Sequence, residues 1–125
     1  FDVEHLNAIH RYLFQGVYDW AGEWRTVNMA KGPSGFANVA GGALGIDRYL
    51  EDAFETVRST VWESLNHREF VEAVAAVFAH LNQAHPFREG NGRTSRIFMD
   101  HVALLSGFRF DYARWPPRLE SVLYV

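Results

Sequence analysis

The sequence predicts an all-α domain that carries one small β-hairpin. Four stretches place apolar residues at three- and four-residue steps, an alanine-rich stretch sits centrally among them, and a single Gly/Pro-punctuated segment interrupts the pattern. In the first stretch Val3, Leu6, Ile9, Leu13 and Phe14 mark a helix over residues 2–14, ended by Gly16. From residue 18 to 38 the character changes. Trp24, Thr26, Val27 and Met29 lead into Lys31-Gly32-Pro33-Ser34-Gly35, and Phe36 and Val39 follow, so two short extended runs flank a turn. Neither run is long or strongly alternating, which makes this hairpin a flap rather than part of a sheet.

Ile46, Leu50, Phe54, Val57 and Val61 mark a second helix, with Asp47, Glu51 and Asp52 near its positive end. A third runs from about Arg68 through Phe70, Val71, Val74, Val77, Phe78 and Leu81. Alanines at 73, 75, 76 and 79 favour helix and permit close helix contact there, so it is expected to be the buried central helix. Pro86 and Gly90 stop it. A fourth helix is expected from Asn91 or Gly92, with Ile97, Phe98, Val102 and Leu105 inward and Gly107 as its stop. Residues 108–115 read as irregular or briefly extended, and Pro116-Pro117 opens a last helix from Arg118.

A chain of 125 residues, 48% hydrophobic, is enough for one core, so residues 1–125 are expected to form a single domain. It begins at Phe1 and stops at Val125 within an apolar pattern, which suggests an excerpt of a longer protein. The net charge of -3 argues against a general nucleic-acid or anionic-membrane binder, since both need a basic surface. Any anion site must be local. The lack of cysteine excludes disulfides and thiolate metal sites and fits a reducing, cytoplasmic setting, and no apolar run has the length of a membrane span.

One unbroken stretch concentrates the chemistry: His85-Pro86-Phe87-Arg88-Glu89-Gly90-Asn91-Gly92-Arg93-Thr94-Ser95-Arg96. Asn91 and Gly92 stand where a loop becomes a helix, so unpaired N–H groups and the positive dipole end form an anion cradle, which glycines at 90 and 92 leave open. The Walker ending Gly-Lys-Ser/Thr is absent. Arg93 and Arg96 leave one face of the first helical turns, where cations oppose the dipole; a polyphosphate across both would remove that conflict, and pairing with Glu89 or Asp100 is the other reading. Glu89 can hold Mg²⁺ beside substrate phosphates or cap the following helix. His85 can titrate near neutral pH and serve as a base. Phe87 reads as an anchor into the core. His5, His10, His67, His80 and His101 read as structural, because no zinc spacing is present.

The stretch matches HxFx(D/E)GNGRxxR at every specified position and so resembles the signature of the Fic (Fido) family. Upstream, Tyr18-Asp19-Trp20-Ala21-Gly22-Glu23-Trp24-Arg25-Thr26-Val27 and Lys31-Gly32 look like the segment leading into that family's target-docking flap. The resemblance implies a helical bundle with a β-hairpin flap and AMP transfer from ATP to a Tyr, Ser or Thr hydroxyl of a target protein. By analogy His85 is the base and Glu89 holds Mg²⁺. Gly90, Asn91 and Gly92 stabilise the α- and β-phosphate oxygens, and Arg93 and Arg96 place the β- and γ-phosphates. Lys31, Gly32, Phe36 and Val39, within a flap of about residues 27–39, would dock an extended target segment. Transfer of another phosphate-containing group (phosphate, UMP or phosphocholine), or a non-catalytic binding role, is the alternative; the intact cradle, His85 and Glu89 favour AMP.

Many family members are held inactive by a helix of pattern (S/T)xxxE(G/N) whose glutamate pairs with the second arginine. Here only Ser59-Thr60-Val61-Trp62-Glu63-Ser64 approaches it, with the wrong last residue and within a predicted core helix. A separate antitoxin-like protein contacting Arg96, or sequence beyond this excerpt, is therefore expected to supply the inhibitor. A toxin of a toxin–antitoxin pair, or a secreted effector delivered to a host cell, follows from the resemblance.

Overall fold

A computed structural model describes residues 1–31 and 34–111. Its elements run α1 (Val3–Phe14), β1 (Ala30–Lys31), β2 (Ser34–Gly35), α2 (Ile46–Ser59), a 3₁₀ turn (Trp62–Ser64), α3 (His67–Ala84) and α4 (Asn91–Ala103). In α1 the Asp2 carboxylate accepts from the His5 N–H at 2.9 Å, satisfying one of the unpaired donors of the first turn. Its Leu6, Ile9, His10 and Phe14 are buried. Asn66 and Glu69 form a reciprocal capping box that starts α3 one residue before the expected Arg68.

α2 packs along α3, and α4 packs against both α3 and α1. The recurrence of large apolar residues at helical spacing supplies the interface: Phe54 of α2, Phe70 of α3 and Phe98 of α4 are fully buried, and Phe87 from the loop between α3 and α4 is buried in the same core. After α4 the chain returns toward the start of α3, where Phe108 and Phe110 lie 5.0 and 5.9 Å from the Phe70 ring. No helix among the described residues is long and apolar enough to cross a membrane.

Several boundaries differ from expectation. α2 ends at Ser59, and Val61 is exposed, because Trp62 turns inward in the 3₁₀ turn and donates its indole N–H to the Val57 carbonyl. Glu63 consequently lies in that exposed turn, not within a core helix. α4 ends at Ala103, well before Gly107, so Leu105 falls beyond the helix and is exposed. Of the α3 alanines, Ala73 packs on the core, whereas Ala76 and Ala79 are exposed. The expected last helix from Arg118 lies outside the described residues.

Strand pairing shrinks to two residues on each side, Ala30 opposite Gly35 and Lys31 opposite Ser34. The hydrogen bonds on either side of it explain why. One further bond joins the runs, from the Phe36 N–H to the Met29 carbonyl at 2.9 Å; beyond it the Arg25 N–H goes to the Pro86 carbonyl at 2.8 Å and the Ala37 N–H to the Gln83 carbonyl at 2.9 Å, so both runs are also tied to the end of α3 and the loop after it. Gly32 lies outside the described residues.

Candidate active site

Residues 85–96 leave α3, turn and enter α4, so their geometry follows from how one helix ends and the next begins. His85 closes α3 in the left-handed region at φ 42°, ψ 59°, with its N–H on the Leu81 carbonyl at 3.0 Å. A histidine enters that region only at some cost, so tertiary contacts must hold it there. Two do. The Arg25 Nε–H donates to the His85 carbonyl at 2.6 Å, and the Phe36 ring stacks on the imidazole at 3.9 Å and 6°.

Farther along, the Asn91 side chain folds back on the loop. Its Oδ1 accepts from the Phe87 N–H at 2.9 Å and its Nδ2 donates to the Phe87 carbonyl at 2.6 Å. This leaves the backbone, rather than the amide side chain, as its means of meeting an anion. Gly90 precedes α4 at φ 85°, and a Cβ there would collide with the Phe14 ring. The close approach of α1 thus demands this glycine. Gly92, by contrast, has open space where a Cβ would stand, so it is the glycine that exposes backbone to a ligand.

His10 holds the other side of the loop. Its Nδ1 accepts from the Gly22 N–H at 2.8 Å, which leaves the proton on Nε2 to donate to the Glu89 carbonyl at 2.9 Å. The ring stacks on Phe87 at 3.9 Å and 15°. Burial pushes its pKa down, against a smaller opposing effect of the Glu89 carbonyl. The neutral ring therefore suits both bonds.

His85 and Glu89 line one cavity of about 280 Å³ together with Met29, Arg88 and the loop from Gly90 to Gly92. His85, Asn91 and Gly92 also line a neighbouring cavity of about 420 Å³, bounded by Phe36, Phe78, Asn82 and Ser95. Glu89 is exposed, as a carboxylate that meets a solvated ion would be. Arg93, exposed, and Arg96, half-buried, rise three residues apart from the first turns of α4, but neither walls these two cavities. Arg88 sits over the Trp20 ring at 5.0 Å. Of the residues expected on the flap, Phe36 turns to His85, Val39 is exposed with its N–H on the Asn28 side chain, and Lys31 contributes its backbone to β1.

The family profile described as Fic/DOC matches residues 1–103. The chain belongs to the Fic/DOC family. Among curated Fic relatives, it is 36% identical over 115 residues to the protein adenylyltransferase VbhT of Bartonella schoenbuchensis, covering 91% of this chain and 23% of that protein. It is 34% identical to the probable protein adenylyltransferase Fic of Salmonella typhimurium, covering 88% of this chain and 54% of the relative. The chain thus spans between about a quarter and about half of these relatives' lengths. Among solved Fic structures it resembles BepC, a VirB-translocated effector of Bartonella tribocorum with bound AMPPNP, at 30% identity and a TM-score of 0.81, over 93% of this chain and 61% of that one. An ADP-bound Fic domain from Bartonella quintana aligns at 29% identity and a TM-score of 0.74, over 93% and 60%.

Of two residues that hold this Fic loop, the sequence reading took His10 as structural, which its buried bonds to backbone groups bear out, and gave Arg25 no role of its own. His10 was legible in principle, since it falls on the buried stripe of α1 four residues from both Leu6 and Phe14. Arg25 had no such signal, because its partners are backbone carbonyls distant in sequence.

Proposed function

We propose that this domain transfers AMP from ATP to a hydroxyl side chain of a target protein. The observation that carries the reading is the shared cavity of His85, Glu89 and the glycine-flanked start of α4, an imidazole, a carboxylate and the N-terminus of a helix around one space. Relatives named protein adenylyltransferases and similar Fic structures with bound AMPPNP or ADP support it.

In this scheme His85 accepts the proton of the target hydroxyl as its oxygen attacks the α-phosphorus. The new P–O bond forms as the bond to the β-phosphate oxygen breaks, and pyrophosphate leaves. Backbone N–H groups at Gly90, Asn91 and Gly92 stabilise the charge on the α- and β-phosphate oxygens, while Arg93 and Arg96 receive the β- and γ-phosphates. Among the described residues no three His, Cys, Asp or Glu side chains cluster as a metal site, and an exposed single carboxylate fits Mg²⁺, whose other ligands are phosphate oxygens and water. Held by Glu89, Mg²⁺ would neutralise charge on the departing pyrophosphate.

The flap of about residues 27–39 is the proposed target-docking edge, and a separate inhibitory helix contacting Arg96 is the proposed regulator. Delivery to a host cell rests on the similarity to VirB-translocated effectors. Incubation with cell lysate and Mg²⁺ tests the activity: protein label from α-labelled ATP that His85→Ala abolishes is expected. Label from the γ-position would indicate a kinase, and no label from either would remove the enzyme reading.

A further inference from the structure

Arg25 is 3% exposed, and the partners of its guanidinium are carbonyls. Nε donates to His85 at 2.6 Å, one terminal nitrogen to Val27 at 2.8 Å, and the other to Ala37 at 2.7 Å and Ala84 at 3.2 Å. The Arg25 N–H adds the bond to Pro86. Burial lowers the pKa of this cation, and four aimed carbonyl dipoles offset the loss of water. Such an expensive group is usually retained for a geometric purpose. The carbonyls it gathers come from two places: the end of α3 at residues 84 and 85, and the two runs flanking the hairpin at residues 27 and 37.

These two places hold opposite ends of one residue. Arg25 fixes the His85 carbonyl, and hence its left-handed backbone, while Phe36, next to Ala37, fixes the ring. Ala37 is itself tied to α3 through the Gln83 carbonyl, and the Gln83 side chain donates to the Gly35 carbonyl at 2.9 Å. The anion cradle is secured by different groups, the Asn91 side chain and His10. Base and cradle are therefore held separately.

We propose that Arg25 is a positioning residue for the base, locking the His85 backbone and the Phe36-bearing segment into one unit so that the imidazole meets the incoming hydroxyl in a single orientation. This rests on the reading of His85 as the base. Since the same segment continues from the proposed docking edge, target binding and base orientation share one set of hydrogen bonds. A lysine cannot replace this fork, because its single ammonium cannot reach carbonyls on all sides.

The test compares Arg25→Lys and Phe36→Leu with wild type and His85→Ala, using calorimetry with a non-hydrolysable ATP analogue, transfer kinetics, and NMR of the His85 ring. Arg25→Lys should bind the analogue within about twofold of wild type while kcat falls about 100-fold, the cost of a base displaced by about 1 Å. Its His85 ring resonances should lose the shift caused by the stacked Phe36. Phe36→Leu leaves the Arg25 bonds in place and should also move the ring resonances, with kcat lowered about 10-fold, so the idea stays testable if Arg25→Lys does not fold. Unchanged ring resonances in both variants, or analogue affinity falling in step with kcat, would overturn it. The ring spectra need no transfer, so a wild type that labels nothing would refute the proposed function and still decide whether Arg25 orients the His85 ring.

Discussion

His10 donates its Nε2 proton to the backbone carbonyl of Glu89 at 2.9 Å, so the third turn of α1 holds the residue whose carboxylate is proposed to carry Mg²⁺. Its other nitrogen is occupied by Gly22, which precedes the Trp24-Arg25 segment. Removing the ring should therefore disturb both fold and site. His10→Ala is expected to lower stability by about 3 kcal/mol, from a lost stacked ring and two unpaired backbone groups, and to raise the Mg²⁺ concentration needed for half-maximal transfer. Thermal melts and a metal titration of the rate measure the two effects; stability loss with an unchanged metal requirement would confine His10 to the core.

The same ring predicts how stability responds to acid. Burial pushes His10 below its ordinary 6.5, and burial followed by the charge of His101 does the same for His5. As pH falls through 6.5 the unfolded chain takes up protons that the folded chain still refuses, so the unfolded state binds more and stability drops with pH. The full contribution is present above 6.5 and is lost progressively as pH falls toward the lower folded values. Tm should decline between about pH 7 and pH 5, and His10→Gln should flatten that slope. An equal slope in the variant would contradict the assignment.

The absence of a side chain at Gly90 answers to Phe14. Gly90→Ala combines a left-handed backbone with a Cβ directed at the Phe14 ring, and should cost about 2–4 kcal/mol. Adding Phe14→Ala relieves the collision but not the backbone strain, so the double variant should lose less than the sum of the singles. Denaturant unfolding of the three variants checks this, and simple additivity would show that the ring is not the obstacle.

Asn91 serves the loop through its side chain and an anion through its backbone. Asn91→Ala strands the buried N–H and C=O of Phe87 and should cost about 2–4 kcal/mol. Asn91→Asp keeps the acceptor but sets a carboxylate against the Phe87 carbonyl, so it should weaken the loop at least as much. Both should reduce binding of an ATP analogue, measured by calorimetry. Wild-type affinity in a folded Asn91→Ala would mean that the cradle does not need this staple.

The helices and the motif were legible in the sequence because their information is local. Apolar spacing predicted α1 to α4 to within a few residues, and the run from His85 to Arg96 pointed to the family to which the chain belongs. Where periodicity met a competing tertiary contact it failed: Trp62 turned inward and ended α2 early, and beyond the Phe36–Met29 bond the flap runs bond to Gln83 of α3 and Pro86 just after it, leaving the hairpin with two paired residues on each side.

What the sequence alone determined was the four described helices and the family signature from His85 to Arg96. The tertiary structure alone decided what holds them. Arg25 meets carbonyls up to 60 positions away, and His10 reaches Glu89 across 79, contacts with no periodic trace because a backbone carbonyl is the same at every residue. Side-chain chemistry can be read from the order of residues, but a partner that every residue possesses is found only once the chain has folded.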